Sequence, residues 1–177
     1  MFRRSFLKAG LILAGTSRRV WAQLADGGPR YFPLTLPIRI PHDSVKVPWQ
    51  PVTFTAEAMA PSTATAGSRR VLISGVLFRK GTPTGAGELS ALCLTCPHEQ
   101  CKVDLVTDPP QLAAMTGGTA THPLFECACH ASVFDAAREG ERISGETPRG
   151  LYRFRIGAVR QEHVEIAEIE ETALYEV

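Results

Sequence analysis

The sequence lacks the features that mark several large classes of protein. No apolar run in its 177 residues reaches about 18, the length a membrane helix needs, so we expect no stable membrane span. Five cysteines are too few for a scaffold held by disulfides alone. The net charge of +1 falls to −4 without residues 1–22, which argues against nucleic-acid binding. Acidic residues gather in residues 162–176, where they predict a solvated strand face and a tail.

Residues 1–22 have the three parts of an export signal. Residues 2–8 form a basic head with paired arginines, residues 9–16 are apolar, and residues 20–22 end in a small side chain. The paired arginines followed by Ser-Phe-Leu-Lys resemble a twin-arginine signal. We therefore expect export in the folded state to the periplasm, with residues 23–177 as the mature domain. An ordinary basic, amphipathic N-terminus is the alternative.

Most of the remaining chain shows the pattern of short β-strands separated by Gly- and Pro-rich turns. Proline breaks residues 31–55 into extended or edge segments, because it removes a ladder donor. Gly75 suggests a bulge within a buried strand, and no helical pattern extends beyond residues 110–115. The sequence predicts an all-β sandwich or partial barrel. The other predicted elements are strands over 70–79 and 89–95, a loop over 56–68, a hairpin of 151–156 with 164–169, and a surface insertion over 108–122.

Two short clusters hold the residues with metal chemistry. They are Cys96-Pro97-His98-Glu99-Gln100-Cys101 and Cys127-Ala128-Cys129-His130-Ala131-Ser132. Thiolates select zinc, copper or iron–sulfur groups, and imidazoles suit several metals. One interpretation is a zinc site on Cys93, Cys96, Cys127 and Cys129. A second is two structural disulfides with incidental histidines, and the third is a site that uses thiolates and imidazoles together.

The third interpretation resembles the Rieske family, whose two loops have the forms Cys-x-His-x-x-Cys and Cys-x-Cys-His. The resemblance implies a Rieske-type sandwich with a small cluster-binding subdomain over about 93–150. It also implies one 2Fe-2S cluster per subunit. In such a cluster, two imidazole ligands raise the potential above that of an all-thiolate cluster. By resemblance, one iron is held by two thiolates and the other by two imidazoles, a disulfide ties the loops, and a serine lies beside the cluster. In this sequence these are Cys96 and Cys127, His98 and His130, Cys101–Cys129, and Ser132.

The two additional cysteines separate the subfamilies. Ring-hydroxylating oxygenases and their ferredoxins generally lack them, so the chain is similar to the respiratory class found in cytochrome bc complexes and in the arsenite oxidase small subunit. Two positions depart from the cytochrome bc pattern: Phe134 stands where a tyrosine would donate to the cluster, and Glu99 replaces an apolar residue against which quinol packs. The first departure predicts a potential below that of the hydroxyl-rich members. Residues 144–150 resemble the third loop that covers the cluster.

These features together predict a periplasmic electron-transfer subunit of a respiratory oxidoreductase, without a substrate pocket of its own. It would carry single electrons between a catalytic partner and a c-type cytochrome or similar carrier. The short apolar stretch of residues 9–16 favours a molybdenum oxidoreductase as that partner. The alternatives are a quinol-oxidising subunit beside cytochrome b in a cytochrome bc complex, and a zinc-binding structural module.

Overall fold

A computed structural model describes residues 28–61, 67–82, 85–118 and 120–176. The predicted export signal lies outside these residues. The described residues form three antiparallel sheets, which confirms the predicted all-β class. The strands are β1 (Tyr31–Pro41), β2 (Val52–Pro61), β3 (Ser68–Thr82), β4 (Gly85–Cys93), β5 (Asp104–Val106), β6 (Leu124–Cys127), β7 (Ser132–Asp135), β8 (Glu141–Ser144), β9 (Phe154–Val159) and β10 (His163–Glu170). The helices are a 3₁₀ turn (His42–Val45), α1 (Pro109–Thr116) and α2 (Ala173–Glu176).

The sheets have the orders β1-β10-β9, β2-β3-β4 and β5-β6-β7-β8. The first two enclose a core that includes Ile73, Leu77, Phe154 and Ile166. The third packs on β3 and β4 through a separate set of buried side chains. These include Val76, Phe78, Leu92, Cys96, Val103, Phe125, Cys127 and Phe134. The small four-stranded sheet therefore has its own core, and Cys96 and Cys127 belong to it.

The proline-rich N-terminal part of the domain forms one long edge strand. The register between β1 and β10 shifts between Pro33 and Ile38, which leaves the intervening residues outside the continuous ladder. An edge position with such an interruption tolerates the missing amide donors of proline. The prediction of edge structure is confirmed for residues 31–41, although the prolines do not divide them into several segments.

Two sequence expectations for β2 and β3 are wrong. Residues 56–61 continue β2 instead of starting a loop, because Ala56, Ala58 and Ala60 alternate into the core at no more than 1% exposure. Gly75 keeps a regular register with Phe54 and Cys93, so it forms no bulge. A Cβ at Gly75 would lie 2.4 Å from the Phe54 ring, which shows that the glycine makes room for an aromatic side chain.

Within the predicted surface insertion, α1 packs on the small sheet. Asp108 caps α1 by accepting a hydrogen bond from the Gln111 amide, and Leu112 is buried. His122 Nε2 lies 2.7 Å from Asp135 Oδ1. Burial acts to raise the pKa of Asp135, but hydrogen bonds from Arg138 and His122 outweigh it and hold that pKa below its usual range. No helix among the described residues is long and apolar enough to cross a membrane.

Candidate metal centre

The first loop (residues 96–101) is a closed turn between β4 and β5. The Cys96 amide donates to the Cys101 carbonyl at 2.9 Å, and the Gln100 amide donates to the Cys96 carbonyl at 3.1 Å. Gln100 has a φ of 58°, which reverses the chain direction within the turn. These bonds hold Cys96 and Cys101 together at the base of the loop. His98, half-buried, and Glu99, exposed, lie between them.

The second loop (residues 127–132) is the tight connection between β6 and β7. Cys127 and Ser132 face each other in register, so only residues 128–131 turn the chain. Ala131 has a φ of 48°. Cys127 and Ser132 are buried, whereas Cys129 and His130 are exposed. Like the first loop, the second buries one thiol and leaves its imidazole more exposed than that thiol.

A disulfide joins the two loops. Cys101 and Cys129 are bonded, with their Cα atoms 6.5 Å apart, and this confirms the predicted pairing. The rings of His98 and His130 meet edge to face, with centroids 4.7 Å apart. Residues separated by about 30 positions along the chain are thereby brought into one site, with two imidazoles on the same side.

The remaining two loop cysteines form a buried thiol pair. Cys96 and Cys127 are free and each is 1% exposed. Burial raises the pKa of Cys96, and the neighbouring Cys127 thiol raises it further. Two buried thiolates would repel each other, so their deprotonated forms require a cation at this position.

Two buried polar atoms of the loops have no hydrogen-bond partner among the residues that the structure describes: Nδ1 of His98 and Oγ of Ser132. Such atoms are rare in native proteins and indicate an ion or group that supplies the missing interaction. An imidazole nitrogen with a free lone pair is a metal ligand, and a hydroxyl donates to an anionic sulfur. The two orphaned atoms therefore fit a group that contains both metal and sulfide.

The geometry excludes the two other interpretations of the cysteines. The zinc set fails because the Cys129 sulfur is committed to the disulfide and Cys93 packs in the core between the two larger sheets. The hypothesis of two disulfides is wrong because Cys96 and Cys127 are both free.

Comparison with known families agrees with the donor set. The family model described as the Rieske [2Fe-2S] domain matches residues 49–155. The chain belongs to the Rieske family. No curated protein matches the chain. Membership of the Rieske family implies a 2Fe-2S cluster, and the buried thiols and orphaned Nδ1 of His98 fit that group. The candidate ligands are Cys96, His98, Cys127 and His130, and their assignment to the two irons stays a prediction.

The third loop (residues 144–150) lies directly against Ser132. Gly145 has a φ of 97°, and a Cβ there would lie 2.3 Å from Ser132 Cα and 2.4 Å from its Oγ. Only glycine permits this approach. Within the loop, Thr147 is fully buried and donates to the Arg149 carbonyl, while Arg142 donates to the Thr147 carbonyl at 2.9 Å. The sequence pattern located this loop but gave no sign of its arginine contacts, which depend on tertiary structure.

The two positions that depart from the cytochrome bc pattern have different surroundings. Phe134 is fully buried in the core of the small sheet. Glu99 is 61% exposed, and its carboxylate lies 3.9 Å from Nε2 of His130. The Glu99 carboxylate therefore stands beside one imidazole, at the exposed end of the site.

Proposed function

We propose that this Rieske protein is a periplasmic electron-transfer subunit of a respiratory oxidoreductase. It passes single electrons between a catalytic partner, such as a molybdenum enzyme, and a c-type cytochrome or similar carrier. One observation carries the proposal: the paired loops bury Cys96 and Cys127 while His130 remains 35% exposed. A redox group between them has one insulated side and one side within reach of another protein.

The residues of the two loops have different roles toward a bound cluster. When bound, a 2Fe-2S cluster with two neutral imidazoles takes up one electron more readily than an all-thiolate cluster. Cys96 and Cys127 would hold such a group on its buried side, where water is excluded, and the disulfide fixes the spacing of the loops. Ser132 offers its buried hydroxyl as a hydrogen-bond donor. Nε2 of His130 lies 3.9 Å from the Glu99 carboxylate on the exposed side of the site.

Two observations support the periplasmic location. Disulfides persist in oxidising compartments such as the periplasm, and Cys101–Cys129 is a cross-link within the candidate site. The predicted twin-arginine signal would deliver a chain that has already acquired its cofactor in the cytoplasm. The test is a fusion of residues 1–22 to a reporter that requires folding before export. We expect reporter activity in the periplasm. If the double variant Arg3→Lys, Arg4→Lys still delivers the reporter there, the twin-arginine route is contradicted.

The exposed Glu99 favours a protein as the electron donor over a quinol. A quinol ring packs against apolar side chains, whereas a carboxylate 3.9 Å from His130 keeps that surface charged and hydrated. The alternative function, a quinol-oxidising subunit beside cytochrome b, requires an apolar contact at this position.

Purification from the native periplasm and membrane under mild conditions tests the partner. We expect a red-brown complex with a rhombic paramagnetic signal on reduction, and a molybdenum subunit in stoichiometric amount. Co-purification with cytochrome b would instead establish the alternative. If the protein purifies without any partner and transfers no electron to any c-type cytochrome, both the proposed function and the alternative are overturned.

A further inference from the structure

The third loop is attached to the larger sheets through Arg149, at the end opposite Gly145. Arg149 Nη2 donates to the Glu170 carboxylate, and Nη1 donates to Thr172 Oγ1 at 3.0 Å. Its guanidinium also lies 4.5 Å from the centre of the Tyr152 ring. One side chain thus joins the loop to three residues outside it, with a planar fork that a lysine cannot reproduce.

Glu170, which accepts this contact, is a buried carboxylate. The sequence predicted a solvated face for the acidic C-terminal residues, but the Glu170 side chain is 0% exposed. A buried carboxylate requires cations to offset its lost hydration, and Arg149 and Arg153 provide them. Arg153 Nε lies 3.2 Å from Glu170 Oε1. Because Arg153 also faces Glu170, the carboxylate keeps one cation when Arg149 is removed, so the contact can be tested without leaving a bare buried charge.

The connection from Arg149 to the metal centre is short. Arg149 and Gly145 belong to the same seven-residue loop, and Gly145 touches Ser132, which pairs in register with Cys127. Thr147 is fully buried between them. The loop is therefore held at its Gly145 end, close to Ser132, by a hydrogen bond from Arg142 to Thr147, and at its other end by the contacts of Arg149.

We propose that Arg149 is a positioning residue that keeps the third loop closed over Ser132, and that it thereby sets both the redox potential and the retention of the cluster. The proposal rests on cluster binding between the two loops and is independent of the identity of either redox partner. Iron content of the unmodified protein tests cluster binding by itself, so failure of that premise is distinguishable from failure of this inference.

The experiment compares Arg149→Gln with Arg155→Gln in the cluster-bearing protein. Arg155 is a matched control: it pairs with Glu168 at 2.6 Å and covers the Tyr31 ring at 4.0 Å, yet it lies on β9, outside the third loop. We expect Arg149→Gln to lower the midpoint potential, shift the paramagnetic g values and release iron to a chelator about tenfold faster, the factor for one lost charge-assisted hydrogen bond. Arg155→Gln should leave the midpoint potential and the g values unchanged, and it should change the rate of iron release by no more than about twofold. Equal behaviour of the two variants would overturn the proposal.

Arg149→Lys covers the case in which Arg149→Gln does not fold. Lysine keeps the positive charge beside Glu170 but has no fork to reach Thr172 at the same time. We expect a folded protein with faster iron release and a lowered potential. An Arg149→Lys protein with unchanged potential and unchanged iron release would overturn the positioning role.

Discussion

The disulfide between the loops gives a quantitative prediction. Replacing both Cys101 and Cys129 by serine removes a cross-link between residues 28 positions apart. Without the cross-link the unfolded chain gains conformational entropy, and for a loop of this size the free energy of unfolding falls by about 3.5 kcal/mol at 25 °C. Since the bond also fixes the spacing of the two loops, the cluster should be lost at a lower denaturant concentration than in the unmodified protein.

Guanidinium titration of the cluster-bearing protein, followed by circular dichroism and visible absorbance, measures both effects. Cys93→Ala is the matched control, because Cys93 is a buried cysteine outside the bridge and its truncation costs about 1 kcal/mol. The double serine variant should lose about three times as much stability as the control. A loss no larger than that of Cys93→Ala, with the cluster retained to the same denaturant concentration, would refute the argument.

Three further substitutions test other parts of the site. Gly145→Ala places a Cβ 2.3 Å from the backbone of Ser132 and should cause several-fold faster iron release, whereas Gly118→Ala, whose Cβ meets nothing within 4 Å, should not. Asp135→Asn should lower the free energy of unfolding by about 2 kcal/mol at pH 7; because folding depresses the pKa of Asp135, this difference is present above about pH 4 and must vanish as the pH falls through the folded value. Phe134→Tyr should raise the midpoint potential by about 40 mV if its hydroxyl donates to the cluster, the equivalent of about 1 kcal/mol for one electron, and an unchanged potential with the cluster intact would contradict that role.

The sequence was sufficient for the parts of the site that depend on short spacing. In each loop, Cys and His lie within a few residues of one another, and the turn geometry follows from that short segment. The pairing of Cys101 with Cys129 followed from the family resemblance. The buried strand around Val76 was visible because its apolar residues form a local pattern.

The remaining features depend on contacts between distant residues. Gly75 resembled a bulge because the sequence does not show that Phe54 occupies the space beside it. Glu170 resembled a surface residue, since its partner Arg149 lies 21 positions away and on another element. The small side chains of residues 56–61 resembled a loop, although their alternation places alanines in the core. In each case tertiary packing outweighed local preference.

Metal analysis of the full chain, produced with intact iron–sulfur assembly machinery, tests the central claim most directly. The Rieske assignment predicts two irons and two acid-labile sulfides per chain, with a rhombic signal on reduction. His130→Ala should abolish that signal while the fold remains, whereas His122→Ala, whose imidazole contacts Asp135, should leave it in place. Bound zinc, or an unchanged chromophore after His130→Ala, would contradict the account.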